Sequence, residues 1–277
     1  MEGAYMRISE NLTKARKVYF NRIISKSIIS EIIPNHYSES FPINNQLLDK
    51  LHKFVNHNPI YFKKTNVLIN DIEFTSYEGD VNTFYLNAKK YDTSYQPFYP
   101  TWILSALLIC ERLRVDDMKC KEIIDIGSGD GRIPFCGALL GLYSIGLELD
   151  HSLTQLQRRI SESTKVPFEI INADGTDYDF SNQELSRPCF IISALPEMGE
   201  MFVENIIKRI KEKRIESFVI IFLASSVKRR FANDMSHFGW GRIMEKNNLK
   251  INDSLNLPTH WTNDNADETI YLFTKQG

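Results

Sequence analysis

The sequence predicts an α/β protein: a doubly wound, mostly parallel sheet with helices on both faces, preceded by a mainly helical N-terminal region. Three observations carry this. From about residue 96, short apolar runs alternate with stretches of helical periodicity, the pattern of a parallel sheet covered on both sides. The runs lack polar alternation, as expected of strands buried on both faces. Before residue 96 the texture changes, with helical spacing first and mixed patterning after it. The predicted division is therefore 1–95 and 96–277.

In chain order, Leu12, Ala15, Tyr19 and Ile23 recur at helical spacing. Between them lie Lys14, Arg16, Lys17, Arg22 and Lys26, read as a solvated basic face. A short helix is expected over 46–55. Residues 66–76 read as two strands about the tight turn Asn70-Asp71. Residues 82–90 read as another helix. The segment 101–113 is a strong helix, with Trp102, Ala106, Leu107, Cys110 and Leu113 on its apolar side. Strands are expected at 122–126, 143–148, 168–172, 189–193, 218–223 and 269–274. Helices are expected at 133–140, 152–161, 198–213 and 227–237.

The bulk properties narrow the function. A formal charge of −2 over 277 residues does not suggest a general nucleic-acid binder. The basic clusters at 208–214 and 228–230 read as solvated helix faces. Cys110, Cys120, Cys136 and Cys189 have no zinc-ligand or redox spacing, so reduced thiols in a cytoplasmic protein are expected. No histidine pair has metal-ligand spacing, and no metal is expected. The N-terminus lacks a secretory apolar core, and the apolar runs are too short to span a bilayer. No membrane partner is expected.

The candidate site is Ile123-Ile124-Asp125-Ile126-Gly127-Ser128-Gly129-Asp130-Gly131-Arg132, a glycine loop between a strand and a helix. Glycine permits positive φ and close ligand approach. The loop's N–H groups and the helix start could face a polar ligand. Dinucleotide dehydrogenases use the spacing G-x-G-x-x-G, and phosphate-binding loops end in Gly-Lys-Ser/Thr. Neither pattern is present. The spacing is G-x-G-x-G, with Asp130 and Arg132 in positions that would crowd a pyrophosphate or balance its charge. The next two strands end at acids, Glu148 and then Asp174 in Asn172-Ala173-Asp174-Gly175. One such acid is an ordinary loop carboxylate; three at successive strand ends point to one ligand.

The loop resembles motif I of the class I, seven-strand, Rossmann-like S-adenosylmethionine-dependent methyltransferases. The resemblance implies that Asp125 orders the loop and that Gly127, Ser128 and Gly129 pack against the cofactor. It further implies that Glu148 bonds the ribose and Asp174 the adenine, with Asp130, Arg132, Gly175 and Ser193 completing the site. Pro97-Phe98-Tyr99-Pro100-Thr101 precedes the loop. Over residues 96–195 the order resembles archaeal and mitochondrial protein-lysine methyltransferases. In them Tyr99, Pro100 and Thr101 would fold over the cofactor.

Residues 1–95 lie outside that pattern. The fourth strand is followed by Ser193-Ala194-Leu195-Pro196-Glu197 rather than [DN]-P-P-[YF], which argues against N6-adenine, N4-cytosine and glutamine methylation. Glu197 and Tyr99 are the candidate catalytic residues, Glu197 to hold an amine or take a proton. Phe98, Tyr99 and Trp102 are candidates for an apolar amine channel. A protein lysine is the expected acceptor. An RNA or small-molecule substrate, and a non-catalytic cofactor-binding module, are the alternatives.

Overall fold

The computed structural model describes residues 2–20, 29–80, 98, 100–114, 118–180, 185, 187–193, 196–212, 218–223, 239–259 and 269–276. The expected helices at 82–90 and 227–237 lie outside the described residues, as does Ile23.

The N-terminal part opens with α1 (Glu2–Phe20), then β1 (Ile29–Pro34) and α2 (Asn45–His57). The hairpin β2 (Tyr61–Ile69) and β3 (Ile72–Gly79) follows. The three strands form an antiparallel sheet in the order β1-β3-β2. This is more sheet than the mainly helical region expected. The expected turn is present: Asn70 and Asp71 both take positive φ, 49° and 61°, as a two-residue hairpin loop requires. β1 was not anticipated, because Ile-Ser-Glu-Ile-Ile-Pro lacks clean alternation and carries a glutamate inside its apolar run. All six of its residues are buried.

The apolar stripe of α1 is confirmed by the burial of Leu12, Ala15 and Tyr19. Its basic face is only partly solvated. Lys14 and Lys17 are exposed, but Arg16 is buried, with its guanidinium 5.0 Å from the centre of the Phe20 ring. A long alkyl stem lets arginine pack where its charge meets an aromatic face.

The second part alternates as expected. It comprises α3 (Ile103–Arg114), β4 (Glu122–Ile126), α4 (Arg132–Leu139), β5 (Tyr143–Glu148) and α5 (His151–Thr164). Then come β6 (Glu169–Asn172), β7 (Pro188–Ile192), α6 (Pro196–Glu212) and β8 (Val219–Leu223). The chain ends with α7 (Gly241–Asn247), β9 (Leu249–Leu257) and β10 (Thr269–Gln276). The seven strands are ordered β6-β5-β4-β7-β8-β10-β9. β4 to β8 pair in parallel, and β10 runs antiparallel between β8 and β9. This is a Rossmann-like, doubly wound α/β fold with a mostly parallel seven-stranded sheet. β9, an edge strand, was missed because Asp253 interrupts its apolar face, Leu249, Ile251, Leu255 and Leu257.

Strand alternation sorts the core into two layers. Ile123, Cys189, Ile191, Val219 and Ile221 face α3, α4 and α5. Ile124, Phe190, Ile192, Ile220 and Phe222 face α6 and α7. The first layer continues into the N-terminal part through Leu48, Leu51, Phe54, Ile32 and Phe74. Phe54 of α2 meets Phe135 of α4 with ring centres 4.8 Å apart.

Because that core is shared, Phe54→Ala should cost about 3–5 kcal/mol. The two parts should still unfold in one transition. Denaturant titration followed by far-ultraviolet dichroism and tryptophan fluorescence checks both points; separated midpoints would show independent parts.

Candidate functional site

Register sets the site. Ile126 pairs with Leu147 and Ile192, and Glu148 pairs with Asn172. The carboxyl ends of β4 to β7 therefore finish side by side, where ligands of open α/β sheets sit. The glycine loop leaves β4 at this edge.

Gly127, Gly129 and Gly131 have φ of 78°, 57° and 82°, a region that excludes most side chains. Gly127 is exposed and faces open space: a Cβ there would meet no atom within 4 Å. At Gly129 a Cβ would lie 2.6 Å from the Phe98 ring, which packs down on the loop.

The loop amides differ from the expectation that they face a ligand. Gly127 N and Ser128 N donate to Leu147 O at 2.8 and 3.0 Å, and Gly131 N donates to Ser128 O at 2.9 Å. Gly129 N donates to Glu148 Oε2 at 2.7 Å. Donors already committed to the protein cannot cradle a pyrophosphate. The loop is held from behind by Gln157 of α5, which donates to Ser128 Oγ at 2.9 Å and Gly129 O at 2.8 Å.

Three carboxylates surround this loop. Asp125 is buried, and its Oδ1 has no hydrogen-bond partner. Burial, with Glu148 and Asp130 nearby, pushes its carboxyl well above the usual range. Glu148 is 6% exposed and accepts from Gly129 N and from Asp150 N at 2.9 Å. Burial raises it to about 7, against the pull of those amides. Asp130 is answered by one cation and a neutral donor. Arg132 Nε and Nη2 reach its oxygens at 2.9 and 2.5 Å, and Asn58 Nδ2 donates to Oδ2 at 2.8 Å.

Arg132 is 3% exposed and reaches further. Its Nη1 donates to Thr101 O and to Glu31 Oε1, the latter at 3.4 Å. Its Nη2 lies 3.4 Å from Tyr61 Oη. Asp130 and Arg132, expected to touch the cofactor, thus turn their side chains toward the N-terminal sheet. Thr101 is buried too; its hydroxyl accepts from Tyr271 Oη at 2.7 Å.

Among the remaining candidates, Pro100 is buried and Ser193 is half-buried just past β7. Asp174 is half-buried past β6, its Oδ1 accepting from Thr176 N at 2.8 Å and Thr176 Oγ1 at 2.7 Å. Gly175 packs on β4, since a Cβ there would lie 2.5 Å from Ile126 Cγ2. Tyr99 and the side chain of Glu197 lie outside the described residues. Trp102 is fully buried and stacks on Phe20 with centres 6.2 Å apart. It belongs to the core and not to an amine channel.

Sequence reasoning missed Gln157, Asn58, Glu31 and Tyr61. Only Glu31 had a signal, a lone carboxylate inside an apolar run. Among the described residues, no group of three or more His, Cys, Asp or Glu could hold a metal ion. The four cysteines are buried and unbridged. No described helix is long and apolar enough to cross a membrane.

The donor set fits S-adenosylmethionine. Gly127 leaves space at the strand edge, Asp125 offers an unpartnered buried oxygen, and Glu148 and Asp174 follow at the next strand ends. No known family's sequence profile matches the chain, and neither does any curated protein. Solved structures do. The Pyrococcus horikoshii TYW2 protein in complex with MeSAdo shares 13% identity at a TM-score of 0.46, over 76% of this chain and 70% of that one. The mitomycin 7-O-methyltransferase MmcR shares 16% at 0.45, over 63% and 54%. An RNA methyltransferase from Salinibacter ruber with S-adenosyl-L-homocysteine shares 17% at 0.36, over 60% and 89%. Similarity at that level carries neither substrate nor activity across to this chain.

The raised carboxyl of Glu148 has a stability consequence. Between pH 4.5 and about 7 the unfolded chain releases this proton while the folded chain keeps it. Stability should therefore fall as pH rises through that window, by at most about 3 kcal/mol, and level off above it. Asp125 adds to the same slope. Urea unfolding at successive pH values should show the decline in the wild type and a shallower one in Glu148→Gln.

Proposed function

We propose that this chain is a class I S-adenosylmethionine-dependent methyltransferase, acting on a protein lysine. The observation that carries the methyltransferase reading is the strand-end set. Asp125 and Glu148 sit at the carboxyl ends of β4 and β5, and Asp174 and Ser193 just past β6 and β7, around a glycine loop whose amides are already bonded within the protein.

S-adenosylmethionine, when bound, supplies an electrophilic methyl group on a sulfonium. The residues do the holding. Glu148 can take ribose hydroxyls on the lone pairs that Gly129 N and Asp150 N leave free. The resemblance assigns the adenine to Asp174. Gly127 lets the ligand approach the backbone. With a good leaving group, positioning supplies much of the acceleration, roughly 7–11 kcal/mol when orientation is good.

Lysine as the acceptor rests on the resemblance of Pro97-Phe98-Tyr99-Pro100-Thr101 and the following loop. Deprotonating a lysine costs roughly 4–5 kcal/mol at pH 7 from its free pKa. An apolar approach lowers that cost, and Phe98, packed on Gly129, supports one.

Calorimetry with S-adenosylhomocysteine should show binding, weakened about tenfold or more in Glu148→Ala, which removes charged hydrogen bonds. A folded wild-type protein that does not bind it sinks the cofactor assignment. Cell extract incubated with labelled cofactor and split into protein, RNA and small-molecule fractions should label protein. Label in RNA alone would overturn the lysine acceptor, and label in no fraction would leave a binding module.

A further inference from the structure

We propose that Asn58 and Glu31, from the N-terminal part, are positioning residues for the glycine loop, so that the N-terminal part braces the cofactor site. The inference rests on the cofactor reading above and concerns how that site is shaped.

Both residues reach the loop's own side chains. Asn58, 1% exposed, stands at the carboxyl end of α2 just before β2. Its Oδ1 accepts from Ile60 N at 3.3 Å and its Nδ2 donates to Asp130 Oδ2 at 2.8 Å. The backbone amide fixes which end of the side chain faces Asp130. Glu31, wholly buried in β1, accepts from Ile103 N of α3 at 2.6 Å and from Tyr61 Oη. It also accepts from Arg132 Nη1.

Asp130 and Arg132 flank Gly131, one of the loop's left-handed residues. The loop is therefore gripped from two sides, by Gln157 of α5 and by this pair. Without Asn58, Asp130 keeps only the Arg132 donors among those described, and the buried acceptor left unmatched favours a shift of the loop that carries it. Without Asn58 the loop relaxes, and with it the Gly129 amide that orients Glu148.

The test uses the full chain. Hydrogen exchange of the peptide covering residues 127–133, without ligand, reports the loop directly. Calorimetry with S-adenosylhomocysteine reports the site. Asn58→Ala and Glu31→Gln should speed loop exchange and weaken binding about tenfold, the scale of a lost hydrogen bond to a charged group. Asp253→Asn, which breaks the distant Arg112–Asp253 pair at 2.5 Å, should lower the melting temperature and change neither readout.

Asn58→Asp sets two carboxylates together. Its affinity deficit relative to wild type should narrow as pH falls, because protonation of the introduced carboxyl restores a donor to Asp130. A merely structural role would not produce that profile. Should Asn58→Ala fail to fold, Glu31→Gln and Asn58→Asp carry the test. Wild-type exchange and wild-type affinity in the folded variants would overturn the proposal, as would an equal loss in Asp253→Asn. A wild type that binds no S-adenosylhomocysteine would fail the cofactor reading instead, and loop exchange would still decide this one.

Discussion

A guanidinium with no access to water governs the arrangement of this molecule. Removing such an ion from solvent costs several kcal/mol even after relaxation, and only well-placed counter-charges and acceptors offset it. Arg132 finds them in Asp130 two residues back, in Glu31 from the first strand, and in the Thr101 carbonyl before α3. Those partners come from three separate stretches of chain. None can move far without stranding a buried charge, so the loop, the start of α3 and the N-terminal sheet are set together.

That coupling changes what the glycines do. A glycine loop is often read as a ring of free amides. Here the amides of Gly127, Ser128, Gly129 and Gly131 all have partners inside the protein. The glycines serve the left-handed turns that make those bonds possible and, at Gly127, leave room at the strand edge. The loop is a shaped wall and not an anion cradle. A dinucleotide fails here on hydrogen bonding, independently of the G-x-G-x-G spacing that had already argued against it.

The sheet was legible because buried parallel strands leave unbroken apolar runs. Those at Glu122–Ile126 and Val219–Leu223 were read nearly to the residue. The Asn70-Asp71 hairpin was legible because its turn needs residues that tolerate positive φ. β1 and β9 were not, since one carries a buried glutamate in an apolar run and the other an aspartate, Asp253, in the middle of its apolar face. At the candidate site, position along the chain was legible, as for Glu148 at the end of β5. Side-chain direction was not. Asp130 and Arg132 sit in the motif, yet face away toward partners 72 to 101 residues distant in sequence, and no local pattern encodes such a contact.

The same distinction separates the loop's carboxylates. Asp130 is matched by Arg132 and Asn58, so its charge is spent on architecture. Asp125 and Glu148 have no described cation against them, and burial raises both. Asp125 keeps a buried oxygen with no donor, and Glu148 keeps a lone pair on each oxygen beside the backbone amides it accepts. Leaving such acceptors unmatched is costly, and the cost falls when a ligand brings hydrogen-bond donors or positive charge to them. An anionic ligand would raise it. A ligand that brings hydroxyl donors to this edge of the sheet therefore suits it better than one that brings a further anion.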